Sequence, residues 1–313
     1  MSGPVDETVE ERGFGVNTIE VREGRATSIG KLGIIRVLPT KRRRTIGPWC
    51  FVDLMSGGDF AEPPPMEIGP HPHIGLSTVT WIFEGSALHS DSLGTEQLIR
   101  PGELNLMTSG RGIAHAELGI DTISPDSAEG TMGVQMWIAQ PEETRHGESR
   151  FEHLNQLPRV DLNGGEAQVL VGSFRGHTSP AIQDHPAVGL DLQLGAPLEI
   201  ELETGFEHGV IPIDRPVKVN DEIVDTGSLA IVSEGLESIR LETRSGSGRL
   251  LLLGGKPLGE PVKMWWNFVA RTTDEITEAW DDWENHNEDR FGPVPSELAR
   301  IDAPRPPWVK PPG

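Results

Sequence analysis

Cysteine is nearly absent: Cys50 is the only one among 313 residues, so no disulfide can form within the chain. That usage suits a reducing cytoplasm, which is the compartment expected here. There is no run of about 18 uncharged apolar residues, so no helical membrane span is expected. The opening residues, Met1 to Gly13, are polar and acidic and lack the apolar core of a secretory signal. Positive charge is scarce as well, with 27 Lys and Arg against 48 Asp and Glu and a formal net charge of −21. This balance argues against direct nucleic-acid binding, which needs a basic footprint for phosphates. The local exception is Lys41-Arg42-Arg43-Arg44, which reads as a solvated connection between strands.

Against these absences stand length and pattern. A chain of 313 residues exceeds one comfortable hydrophobic core, so two domains are expected. Short apolar-alternating stretches recur between Gly, Pro and Asp: Ser77–Phe83, Glu103–Met107, Met132–Ile138, Leu190–Leu194 and Leu198–Leu202. Many short strands with close turn signals indicate an all-β sandwich or barrel. One helix is expected near 273–286. Thr272 and Glu275 have capping-box spacing, and Ile276, Ala279, Trp280 and Trp283 share a face as packing anchors. The segment Pro293 to Gly313 holds seven prolines and reads as an extended tail. A loop at Asp121–Gly130 is expected to close the first strand cluster. The domain boundary is placed near 140, giving 1–140 and 141–313.

An internal repeat supports duplication. Pro101-Gly102-Glu103-Leu104-Asn105-Leu106-Met107 matches Thr226-Gly227-Ser228-Leu229-Ala230-Ile231-Val232, and Gly110 and Gly235 keep the same offset of 125 positions (226 minus 101).

Residues two apart on a strand face the same side. His71 and His73 can therefore present two imidazoles to one point, and His115 and Glu117 can do the same from another strand. Three neutral nitrogens and one carboxylate suit Fe, Mn, Co, Ni, Cu or Zn, and ligand softness does not choose among them. One H-x-H pair alone is a weak signal. Two i, i+2 pairs in glycine-rich contexts within one β unit are stronger. His89 and Asp91 are also two apart, and the reading favoured for them is a solvated turn over an outer group that orients ligands.

The stretches His71-Pro72-His73-Ile74-Gly75, Pro101-Gly102-Glu103-Leu104 and Gly110-Arg111-Gly112-Ile113-Ala114-His115-Ala116-Glu117 resemble the signature of the pirin family. The likeness continues through Gly255–Val262 and Asn267-Phe268-Val269, so it spans most of the chain. It implies two cupin-type jelly-roll barrels in tandem with a C-terminal helix. It also implies one divalent metal, Fe(II) by preference, on His71, His73, His115 and Glu117. A typical cupin takes its carboxylate four or five residues after the H-x-H pair, where this chain has Ser77 and Thr78. The family pattern uses the His-x-Glu pair instead. Many members keep a glutamate where this chain has Ser77, so a second carboxylate near the site is expected to be missing. Adding the repeat offset to the four ligands gives Ala196, Leu198, Arg240 and Glu242, so the second barrel is expected to hold no metal.

By the same resemblance the activity is that of a flavonol-cleaving dioxygenase of the quercetin 2,3-dioxygenase type, with Glu117 as general base. Phe51, Trp81, Ile113 and Trp137 are candidates to line an apolar pocket, although core packing is the expected role for most of them. The alternative from another class is an iron-containing, redox-sensitive regulator that binds protein partners.

Overall fold

Two seven-stranded antiparallel sheets lie against each other, and their strand orders are the same. The computed structural model describes residues 18–30, 32–55, 66–119, 130–244 and 246–310. The first sheet runs, in hydrogen-bonded order, Arg150–Leu154, Leu104–Thr108, Leu76–Glu84, Met132–Ala139, Trp49–Met55, Leu32–Leu38, Arg25–Ile29. The second runs Ile19–Arg22, Leu229–Val232, Glu207–Pro212, Gly248–Gly255, Ala187–Leu194, Gly165–Val171, Arg159–Leu162. Each is closed into a barrel by a four-stranded sheet. In the first barrel this is Glu67–His73, Ile113–Gly119, Ala87–Asp91 and Glu96–Ile99. In the second it is Leu198–Glu201, Ser238–Thr243, Val217–Val219 and Glu222–Val224.

The repeated segments Leu104–Thr108 and Leu229–Val232 take the same place in the two sheets, so the duplication is real at the level of topology. The outermost strands are exchanged in sequence. Arg150–Leu154 completes the first barrel from beyond residue 140, and Ile19–Arg22 completes the second from near the N-terminus. A cut at residue 140 would therefore take an edge strand from each barrel. Of the loop expected at 121–130, all but Gly130 lies outside the described residues.

The alternation in Ser77–Phe83 is resolved by this arrangement. Val79 and Trp81, with Val134 and Met136 of the neighbouring strand, point out of the first barrel and join Val171, Ile211, Leu251 and Leu253 of the second in one continuous core. The threonines between them face the barrel interior. Trp81 donates its indole N–H to Asp191 Oδ2 at 2.9 Å, which removes it from the expected pocket lining. Arg43, expected in a solvated connection, is buried and pairs with Glu207, whose other oxygen accepts from Gly47 N at 2.8 Å. Lys41 and Arg42 remain exposed.

The helix spans Thr273–Glu284 with the full capping box between Thr272 and Glu275, and it buries Ile276, Ala279 and Trp283. Residues 293–310 of the proline-rich segment form no helix or strand and are tied back onto the protein. Trp265, Trp280 and Trp283 donate their indole N–H groups to the carbonyls of Pro304, Ala303 and Ile301, at 2.9, 3.2 and 3.0 Å. Ile301 N in turn donates to Pro70 O at 2.9 Å, binding the tail to the edge strand that carries His71 and His73. No helix among the described residues is long and apolar enough to cross a membrane.

Candidate metal centre

Gly69-Pro70-His71-Pro72-His73 can form a strand because Glu67–His73 is an edge of its sheet, where a missing proline N–H breaks no ladder. Its partner is Ile113–Gly119, with His71 opposite His115 and Glu117 opposite Ile68. Three residues of one strand thus match two of the other, a bulge that falls on Gly69-Pro70. A side chain on Gly69 would collide with Ala299 O of the tail at 1.9 Å, so only glycine fits there.

His71, His73 and His115 are buried, and one nitrogen from each lies within 4.8 Å of the others. His73 Nε2 and His115 Nε2 are 3.0 Å apart. The opposite nitrogens are tied: His71 Nδ1 contacts Gly69 O at 2.9 Å and His73 Nδ1 contacts Asn267 O at 3.1 Å. Bonds from Nδ1–H to carbonyls fix the tautomer that leaves Nε2 free as a ligand. Burial holds His71 down to about 4, and it pushes His73 and His115 well below the ordinary histidine range. The imidazoles are therefore neutral, the form that binds metal.

Glu117 lies outside the three-nitrogen cluster but lines the same cavity as His71 and His73. Its carboxylate is buried and accepts one long bond from Gln135 Nε2 at 3.4 Å. Thr80 Oγ1 donates to Gln135 Oε1 at 2.6 Å and so fixes which end of the amide faces Glu117. Burial pushes the carboxyl up to about 7, with the Gln135 bond opposing. A nearly unpartnered buried carboxylate beside three neutral imidazoles is a donor set that fits a divalent cation.

The cavity has a volume of about 50 Å³. Of the four expected apolar candidates, Phe51 and Trp137 line it, stacked at 3.8 Å, while Trp81 and Ile113 do not. Behind Phe51 the Arg36 guanidinium sits 4.6 Å from the ring and pairs with Asp53 at 2.6 and 2.8 Å, fully buried. Ser77 is not on this wall. It pairs with Thr108 Oγ1 at 3.0 Å and faces a small space toward the second barrel, so a glutamate at 77 in this chain would not point at the imidazoles.

His89 and Asp91 do not form a solvated turn. Both are buried on the inner face, with His89 opposite Glu117 and Asp91 opposite His115. Sequence reasoning passed over Gln135, Asn267, Asp53 and Ile301, which also bound the cavity. Gln135 left a trace, as the one amide in an apolar strand, whereas Asn267 and Ile301 reach the site from far along the chain.

In the second barrel, Leu198 and Ile200 with Ile239 and Leu241 fill the interior where the first barrel has its three imidazoles. Arg240, the position that the repeat offset pairs with His115, points outward and lies 3.7 Å from Glu242. The inner face of that strand carries Ile239 and Leu241 because neighbouring residues on a strand alternate sides.

Known proteins resemble this chain in sequence and fold. Residues 32–138 match the family profile Pirin, and 187–292 match Pirin C-terminal cupin domain. A Pseudomonas aeruginosa protein provisionally named quercetin 2,3-dioxygenase is 39% identical over 91% of this chain and 89% of its own length. A crystal structure of quercetin 2,3-dioxygenase from Acinetobacter baumannii superposes with TM-score 0.86 at 40% identity, covering 94% of this chain and 97% of that one. A bacterial pirin from Escherichia coli in complex with nickel(II) shares the fold at TM-score 0.59 and 18% identity, covering 77% of this chain and 100% of that one.

Proposed function

The chain belongs to the pirin family, and on that footing we propose that it holds one divalent cation on His71, His73, His115 and Glu117 and acts as a dioxygenase of the quercetin 2,3-dioxygenase type. The observation that carries this reading is the buried convergence of three imidazole nitrogens in a cavity that Glu117 also lines. The names of the P. aeruginosa and A. baumannii relatives support the reaction class. Iron(II) is the cation proposed, and the same donors accept Mn, Co, Ni, Cu or Zn. Such a cation would supply Lewis-acid and redox chemistry in the cavity these residues line.

The chain's own residues divide the remaining work. Glu117, held to the cation through one oxygen, would use the other to accept the proton of a flavonol hydroxyl. Gln135 keeps that carboxylate aimed into the cavity. The Phe51–Trp137 stack supplies an aromatic wall for a planar substrate. Pockets for drug-sized molecules run to roughly 300–1,000 Å³, far above the 50 Å³ found, so a flavonol enters only when a wall moves. The walls from outside the barrel strands are Ile301 of the tail and Trp266 and Asn267, while Ile29 and Leu32 come from the edge hairpin of the first sheet.

That small cavity also favours a second reading, in which the metal serves a redox-sensitive regulator of protein partners rather than a substrate. The acid surplus of the chain suits protein over nucleic-acid partners in either case. We place both readings in a reducing cytoplasm, on the single buried Cys50.

The test is reconstitution with each candidate metal, followed by oxygen consumption and bleaching of quercetin absorbance. Turnover that disappears in His73→Ala supports the enzyme. Glu117→Gln should lose more rate than metal occupancy. No turnover with any metal, together with a partner captured only by one redox state, would replace the enzyme reading by the regulator.

A further inference from the structure

We infer that His89 and Asp91 are positioning residues for the metal centre, acting through His115. The inference rests on the proposed metal site but goes beyond its four ligands. His115 Nδ1 lies 3.4 Å from His89 Nδ1, and His89 Nε2 lies 3.1 Å from Asp91 Oδ2. Asp91 Oδ1 in turn accepts the backbone N–H groups of Leu93 and Thr95 at 2.9 and 3.1 Å. His89 is clamped from its other side by Phe151, whose ring stacks at 4.5 Å and 20°. A chain of contacts therefore runs from a ligand imidazole through a second imidazole to a carboxylate anchored on the backbone.

With His89 neutral and the Nε2 atoms of His73 and His115 turned to a shared cation, one placement of protons satisfies the relay. A carboxylate accepts and cannot donate, so His89 carries its proton on Nε2 and presents a bare Nδ1. That bare nitrogen accepts from His115 Nδ1–H, and His115 Nε2 is left as a lone pair facing the other ligand nitrogens. His71 and His73 reach the same tautomer through single bonds to backbone carbonyls. His115 reaches it through a relay of two side chains. Outer groups of this kind orient ligands and raise their basicity.

Asp91→Asn separates this role from a merely structural one. The asparagine Oδ1 still caps Leu93 and Thr95, so the turn keeps its bonds. Its amide now donates toward His89 Nε2 and forces the His89 proton onto Nδ1. Two N–H groups then oppose each other at His115, whose proton is driven to Nε2, the ligand position. A wrong tautomer with intact geometry is the expected result. His89→Phe keeps the stacking on Phe151, leaves the caps intact and removes the acceptor.

The measurement is cobalt(II) binding to the full chain, read by competition with a chelating dye and by the d–d absorption of the bound ion. Melting of the metal-free protein is followed in parallel. Both variants are expected to weaken Co(II) binding about 10–100-fold and to alter the absorption envelope, with an unchanged melt for Asp91→Asn. Wild-type affinity and spectrum in both variants would overturn the relay. If Asp91→Asn melts early, His89→Phe decides by the same two readouts. His73→Ala is the control: Co(II) binding that survives it removes the proposed site, whereas loss there with normal Asp91→Asn and His89→Phe removes the relay alone.

Discussion

Glu117 carries the clearest conflict between stability and function. Its carboxyl titrates at about 7 in the fold against an ordinary 4.5, because burial penalises the charge. Between those values the folded chain holds a proton that the unfolded chain has released. This contribution to stability is full below about 4.5 and is lost as pH rises through 7. The shift corresponds to about 3 kcal/mol. Metal-free Glu117→Gln is therefore expected to be more stable than the parent at pH 8, by up to about 3 kcal/mol, with little difference at pH 4.5. Urea melts at the two pH values check this. His71 acts in the opposite direction. Its folded value near 4 lies below the ordinary 6.5, so the unfolded chain takes up a proton first as pH falls. The metal-free protein should lose stability between pH 6.5 and 4, and His71→Asn should flatten that limb in a pH-dependent melt.

At the scale of elements, the helix and the tail form one device. The helix fixes the tail through Trp280 and Trp283, and the tail places Ile301 on the cavity lined by His71 and His73. Ile301 is only half-buried, so Ile301→Ala should cost about 1–2 kcal/mol, less than a full core truncation. It should also widen the cavity, and the expected sign is faster removal of bound Co(II) by EDTA, measured by stopped-flow absorbance. An unchanged rate would mean that Ile301 does not guard the entry path. Thr272→Ala removes the helix cap bonded to Glu275 N and should cost about 1 kcal/mol in a thermal melt.

Across the whole molecule, the two barrels share a core and exchange edge strands, so they are expected to unfold together. Calorimetry should give one transition whose van't Hoff and calorimetric enthalpies agree. Asp191 is the polar pivot of that interface, accepting from Trp81 and pairing with Arg249 while almost fully buried. Asp191→Ala leaves the Trp81 N–H and the Arg249 guanidinium without it and should cost about 3 kcal/mol, measured by urea denaturation.

Much of this was present in the linear chain. Strand alternation, the Leu104 and Leu229 repeat and the capping box are local, period-bound patterns, so they named a duplicated β fold and its helix. The i, i+2 spacing of His71 with His73 and of His115 with Glu117 named the candidate ligands, because a strand turns such pairs to one side. Which side is inward is a different question, and only packing answers it. Threonines face the barrel interior and Trp81 faces away because a second barrel covers the outer surface. Asp91 is buried because its strand lies beside the one bearing His115. Ile301 joins the cavity because an extended tail with few partners of its own found indole donors on a distant helix. Such choices depend on contacts between residues far apart in sequence, and no local period records them.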